Sequence, residues 1–151
     1  MALVVGIGAW QTRHHPRGPV PDFALTQLGT GGVVTAQSLA GRPTLLVFWA
    51  PWCGVCKAES SNVSWARRLV GDRARVVSIV AAYDSLAEVQ RAVEAQHMDY
   101  PVLLGDDAVT GRFAVRAFPA AFFLDEAGRI RNSTSGYTTT LGLVWRLLSP
   151  L

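Results

Sequence analysis

Residues 48–57, Phe48-Trp49-Ala50-Pro51-Trp52-Cys53-Gly54-Val55-Cys56-Lys57, carry the chain out of an apolar run and into a helical pattern, with two cysteines at the join. The run itself, Thr44–Trp49 (TLLVFW), is short and continuously apolar, the pattern of a strand buried on both faces and so of a sheet covered by helices. Residues 75–81 (RVVSIVA) and 120–124 (AAFFL) repeat that signal. Upstream, residues 22–28 (DFALTQL) and 33–35 (VVT) flank Gly29-Thr30-Gly31-Gly32, which predicts a hairpin with a glycine-rich turn. The turn lacks the Gly-Lys-Ser/Thr that would make it a phosphate loop. Helical spacing follows the cysteines. It returns after Asp84, read as a cap, where Leu86, Val89, Val93 and Gln96 share a face. Residues 101–104 (PVLL) read as a short strand or extended connector, and residues 108–113 as a short helix. Ala127-Gly128 turns into an antiparallel edge strand over residues 129–132. After Gly136, the spacing of Leu141, Val144, Trp145 and Leu148 predicts that these residues dock the last helix. The order is hairpin, βαβα, ββα, without internal repeats.

Composition sets the outer bounds. The chain has 151 residues and a mass of 16.3 kDa, enough for one domain that buries roughly 68 to 70% of its unfolded surface. Half the residues are apolar, 17% are charged and the mean hydropathy is +0.24, which excludes a disordered chain. The net charge of +3 comes almost wholly from arginines scattered along the sequence, with Lys57 the one lysine, so no basic run marks a nucleic-acid groove. Cys53 and Cys56 are the only two cysteines, and a bond between them closes too short a loop to staple a fold. Their use is local chemistry.

That chemistry follows from their position. Cys53 falls at the first turn of a helix, where unpaired backbone N–H groups and the helix dipole favour a thiolate, and this predicts an exposed nucleophile with a depressed pKa. Cys56, one turn further in and shielded, can attack the resulting mixed disulfide and release the product. At about 100° per residue Cys56, Glu59, Val63, Ala66 and Val70 share one face, so Glu59 is a carboxylate on an apolar stripe. Partial burial would raise its pKa and suit it to move a proton on or off Cys56; the other reading is a glutamate that favours the dipole and bends out to solvent.

The stretch FWAPWCGVC resembles the FWAxWCxxC signature of the thioredoxin superfamily. From Pro21 to the carboxyl end the chain is similar to the TlpA-like branch, closest to its ScsD-like and DsbE-like protein disulfide oxidoreductases. The resemblance implies a three-layer α/β/α sandwich with a central mixed sheet and an added amino-terminal hairpin. It implies a thiol–disulfide exchanger of the periplasm that acts on protein thiols and disulfides and works with a membrane or soluble redox partner, without a cofactor or bound metal. Cys53 and Cys56 match the attacking and resolving cysteines, and Glu59 matches the acid of a CxxCxxE pattern. Phe118-Pro119 falls where the family places a cis-proline facing the cysteines. Phe118 is then a candidate for contact with an extended substrate, and its other reading is a core phenylalanine. Trp52 reads as an apolar rim for substrate or as packing over the helix start. The chain departs from the pattern at Val47, where thioredoxin has a buried aspartate, at Ser61, where many relatives have proline, and at Gly54-Val55 between the cysteines.

Residues 1–20 are expected to be the distal end of a membrane anchor followed by a linker, and residues 21–151 the domain. The apolar run over residues 2–10 is shorter than the roughly 17 to 25 residues that span a bilayer. A short tail is the other reading, and an anchor would tether the domain to the inner membrane. His14 and His15 read as solvated linker residues rather than metal ligands, and Arg67-Arg68 and Asp106-Asp107 as solvated faces. Lys57 is an exposed helix lysine or a charge near the thiolate. Asn132-Ser133-Thr134 fits the glycosylation pattern without being expected to function as one. Two other functions compete. A soft-metal thiolate carrier, for copper(I), would use the same two sulfurs. A peroxiredoxin-like peroxidase would want Thr or Ser three residues before its cysteine, and Ala50 stands there.

Overall fold

The computed structural model describes residues 9–149, beginning with a helical turn over residues 9–12. Eight strands follow: β1 (Gly18–Pro19), β2 (Ala24–Thr26), β3 (Val33–Thr35), β4 (Thr44–Trp49), β5 (Arg75–Val80), β6 (Val102–Leu104), β7 (Ala120–Leu124) and β8 (Arg129–Ser135). The helices are α1 (Gly54–Val70), α2 (Leu86–Ala95), α3 (Asp107–Arg112) and α4 (Thr140–Leu148). Six strands form one mixed sheet in the order β1-β8-β7-β4-β5-β6, and β2 pairs with β3 as a separate antiparallel hairpin.

The central strand β4 is buried at every position, as its unbroken apolar run requires. It pairs parallel with β5 and antiparallel with β7. Leu45, Val47, Phe123 and Ala121 point to one side, where Val63, Ala66 and Val70 of α1 and Leu143 and Leu147 of α4 cover them. Further along the same side, Trp49 and Val80 meet Cys56 and, from α2, Val89. Leu46, Phe48 and Phe122 point the other way, into a core closed by the hairpin residues Phe23 and Leu25 and by Val109 and Phe113 of α3 and its end. The result is the expected α/β/α sandwich with its hairpin, and β4 delivers the cysteines at its carboxyl end.

Several expectations are corrected. The sheet starts before Pro21, because β1 pairs Gly18 with Ile130 and Pro19 with Arg129, and β8, which runs on to Ser135, is therefore covered at its start instead of forming the edge. His15 is buried, not solvated: its ring stacks on Phe122 at 4.8 Å and its Nδ1 pairs with Ser133 Oγ at 3.0 Å. Ser85, not Asp84, caps α2, its hydroxyl accepting from Glu88 N–H, and on that helix Val89 is buried while Leu86 is exposed. Asp106 is no mere solvated charge, since its carboxylate accepts from Val109 N–H at the start of α3. Helix α4 docks through Leu143 and Leu147, with Val144 partly buried against the same core, and leaves Leu141, Trp145 and Leu148 exposed. Its sequence is apolar nearly all round, so spacing alone did not select the buried stripe. The anchor expected in the first residues lies mostly outside the described part of the chain. Among the described residues no helix is long and apolar enough to cross a membrane.

Candidate active site

Cys53 is the residue that caps α1. Its backbone is extended, and its Sγ accepts a hydrogen bond from Cys56 N–H at 3.1 Å, satisfying one of the donors that a helix start leaves open. On the opposite side the Cys53 thiol faces the carbonyl of Phe118 at 3.6 Å. The Phe118-Pro119 bond is cis, as the resemblance implied, and the Phe118 carbonyl comes from the bend before β7, 65 residues away in sequence. Both cysteines are free thiols.

The expectation of an open first sulfur is corrected: Cys53 is 6% exposed and Cys56 3%. Cys53 belongs to an apolar cluster against which Leu28, Tyr83 and Phe118 pack. The cover is thin, because Trp52, Gly54 and Val55 on either side are exposed. Trp52 is held in place by its indole N–H, which donates to the carbonyl of Ala82 at 2.8 Å, and its ring meets that of Phe118 edge-on at 6.0 Å. Phe118 is half-buried: it packs on the core and also borders the sulfur.

Glu59 is buried, which rejects the solvent-facing reading. Burial pushes its carboxyl up to about 7, and the hydrogen bond it accepts from Thr138 N–H at 2.7 Å partly opposes that rise. Burial also pushes the Cys56 thiol well above the usual thiol range, aided by its contact with Cys53 and by the Glu59 charge. Cys56, Glu59, Tyr100 and Pro119 border a cavity of about 10 Å³, in which Val47 supplies an apolar wall. Glu59 is the only acid on that lining. The place where thioredoxin has an aspartate is thus apolar here, and the carboxyl on this lining comes from α1 instead.

Sequence reasoning missed four supporting residues. Tyr100 is buried beside the cavity, its hydroxyl pushed above the usual phenol range by burial and then by the Glu59, Asp99 and Cys56 charges. Thr138 holds the carboxyl through its backbone, which no side-chain pattern discloses. Asn62 secures Thr138 in turn, donating to its carbonyl at 3.0 Å. Gly136 N–H donates to the carbonyl of Pro119 at 2.8 Å, and Gly136 itself takes a positive φ of 84°, a conformation that suits glycine. Lys57 is exposed on the outer side of α1. Among the described residues no group of three or more His, Cys, Asp or Glu side chains could hold a metal ion, so a carrier would have only the two sulfurs.

A thioredoxin-like sandwich with a Cys-x-x-Cys pair at the mouth of its first long helix, opposite a cis-proline, defines the class of thiol–disulfide oxidoreductases. Residues 16–141 match the Redoxin family, and the chain belongs to it. It is 28% identical over 121 residues to the thioredoxin-like protein YneN of Bacillus subtilis, covering 79% of this chain and 71% of that one. The thiol:disulfide interchange protein DsbE of Yersinia pestis is 31% identical over 121 residues, covering 78% of this chain and 63% of the relative. Among solved structures, a secreted Mycobacterium tuberculosis disulfide oxidoreductase homologous to E. coli DsbE is 26% identical with a TM-score of 0.69, over 83% of this chain and 93% of that one. The chain is accordingly a thioredoxin-like disulfide oxidoreductase of the DsbE and ResA type.

Proposed function

We propose that the chain exchanges disulfides with protein substrates outside the cytoplasm, in the periplasm, with Cys53 attacking, Cys56 resolving and Glu59 handling the proton. The observation that carries the reading is the pairing of Cys53 Sγ with the Phe118 carbonyl on one side and Cys56 N–H on the other. In the reducing direction the Cys53 thiolate attacks a client disulfide, forming a Cys53–client bond and releasing one client thiolate. Cys56 then gives its proton to the Glu59 carboxylate and attacks the Cys53 sulfur. The Cys53–Cys56 disulfide forms, the second client thiolate leaves and takes up the proton that Glu59 had received, and two electrons have passed to the client. A buried thiol pushed as high as Cys56 needs a base, and a carboxyl titrating near 7 serves as one at neutral pH. The cavity between them has room for about one water to carry the proton. Trp52, Phe118 and Pro119 would receive the client chain, and a membrane or soluble redox partner would return the pair to its dithiol form.

The compartment is supported by the secreted relative, and tethering to the inner membrane by the apolar run over residues 2–10. Fusion of a reporter active only outside the cytoplasm tests the location. The roles of the cysteines are tested by trapping. Cys56→Ala mixed with a disulfide-bonded client should accumulate a covalent adduct at Cys53, seen by mass spectrometry. An adduct that forms faster at Cys56 in Cys53→Ala than at Cys53 in Cys56→Ala would reverse the assignment.

A further inference from the structure

Beside the cis-proline loop lies a second concavity, of about 250 Å³, that the exchange chemistry does not use. Arg13, His14 and His15 border it from the amino-terminal segment, Arg116 and Ala117 from the loop, and Ser135 from the end of β8. No acidic side chain borders it. The Arg13 guanidinium is held over the Trp10 ring at 5.0 Å and donates through Nε to His14 Nε2 at 3.0 Å, and among the described residues its terminal nitrogens have no hydrogen bond or ion pair. Arg116 is exposed and has no hydrogen bond or ion pair among the described residues. Two guanidiniums therefore stand at one opening without a carboxylate. Burial keeps His15 from adding charge of its own.

Position says what would fill it. Ala117 borders the pocket, and the next carbonyl along the chain, that of Phe118, faces Cys53 Sγ at 3.6 Å. An extended chain advances about 3.3 to 3.6 Å per residue, so a client lying along this loop with its cysteine at Cys53 passes the pocket a few residues later. We propose that the pocket is a subsite for an acidic side chain of the client polypeptide, two to four residues from the reacting cysteine, with Arg116 and Arg13 as the residues that set this preference. The inference rests on Cys53 being the attacking sulfur.

The test uses the whole chain and a series of disulfide-bonded peptides with Glu, Gln or Lys at each position from two to four residues on either side of the reacting cysteine. The readout is kcat/KM for reduction, compared as the Glu-to-Gln ratio within each protein variant, so that any general loss cancels. For partly exposed charge pairs a ratio of about fivefold is expected at low salt at the favoured position, with Lys below Gln. It should fall toward one in about 1 M salt, where screening acts within a few ångströms. Arg116→Glu should bring the ratio below one, and Arg116→Lys should keep it above one. A ratio of one at every position, or one that Arg116→Glu leaves unchanged, overturns the subsite. Binding of inorganic phosphate at Arg116 together with a ratio of one at every position would assign the pocket to a free anion and also overturn it. Turnover of the Gln peptides reports separately on the exchange reaction: if none is reduced, or if Cys53→Ser reduces them equally well, it is the proposed function that fails.

Discussion

Helices α1 and α4 cover the same side of the sheet, yet they bury different things. Helix α1 takes a thiol, a carboxyl and two serine hydroxyls, at Cys56, Glu59, Ser60 and Ser64, into the interior among Val63, Ala66 and Val70. Helix α4 buries only Leu143 and Leu147 and leaves Leu141 and Trp145 to solvent. Burying a carboxyl without a counter-charge opposes folding, whereas burying leucine favours it. The difference separates the two helices: α4 packs on the sheet through leucines, and α1 accepts a penalty that the proposed chemistry at Cys56 would explain.

Substitutions at Glu59 and along α4 put that division to the test. Glu59→Gln removes the base while keeping volume and an oxygen for Thr138 N–H, so resolution of the Cys53 mixed disulfide should slow by about 10²-fold or more, measured by rapid mixing at pH 7.5. An unchanged rate would place the proton path elsewhere. Leu143→Ala should lower unfolding free energy by about 2 to 5 kcal/mol in urea titrations, the range for a fully buried leucine. At pH 8 Glu59→Gln should, in contrast, raise stability by about 3 kcal/mol, the work of ionising a carboxyl that titrates near 7 in the fold and near 4.5 when unfolded. The sign is set by proton counts. Between those two values the folded chain binds the extra proton and the wild type loses stability as pH rises; below about 4 both states are protonated and the gain should vanish. Equal gains at pH 4 and pH 8 would show that ionisation is not its source. Leu141→Ala, on the exposed stripe of α4, should shift stability by no more than about 0.5 kcal/mol.

The same contrast explains what could be read in advance. The strands at β4 and β7 announced themselves because a short unbroken apolar run has few other uses, and α1 was fixed by the cysteines at its start and by Glu59 falling on its apolar stripe. The composition of α4 offered no polar marker to tell its buried side from its open one, so the docking face predicted there was wrong. At the site, Cys53, Cys56 and Glu59 were legible because they lie on one helix, and Phe118-Pro119 through resemblance alone. Thr138 and Ala82 act through backbone groups, whose placement depends on how distant segments close, and a side-chain alphabet does not carry that information. The burial of Cys53 and His15 was missed for a related reason, since each is covered by aromatic rings remote in sequence, those of Phe118 and Phe122.

The turn between β8 and α4 grips two things at once. Gly136 N–H holds the Pro119 carbonyl, at the peptide next to the one facing Cys53, and Thr138 N–H holds the acid behind Cys56. A single residue, Tyr137, separates the grips. In the proposed reaction, a client that levered the proline loop as it docked would thereby tug on the acid of the second half-reaction, so arrival and release would be ganged through one short piece of backbone.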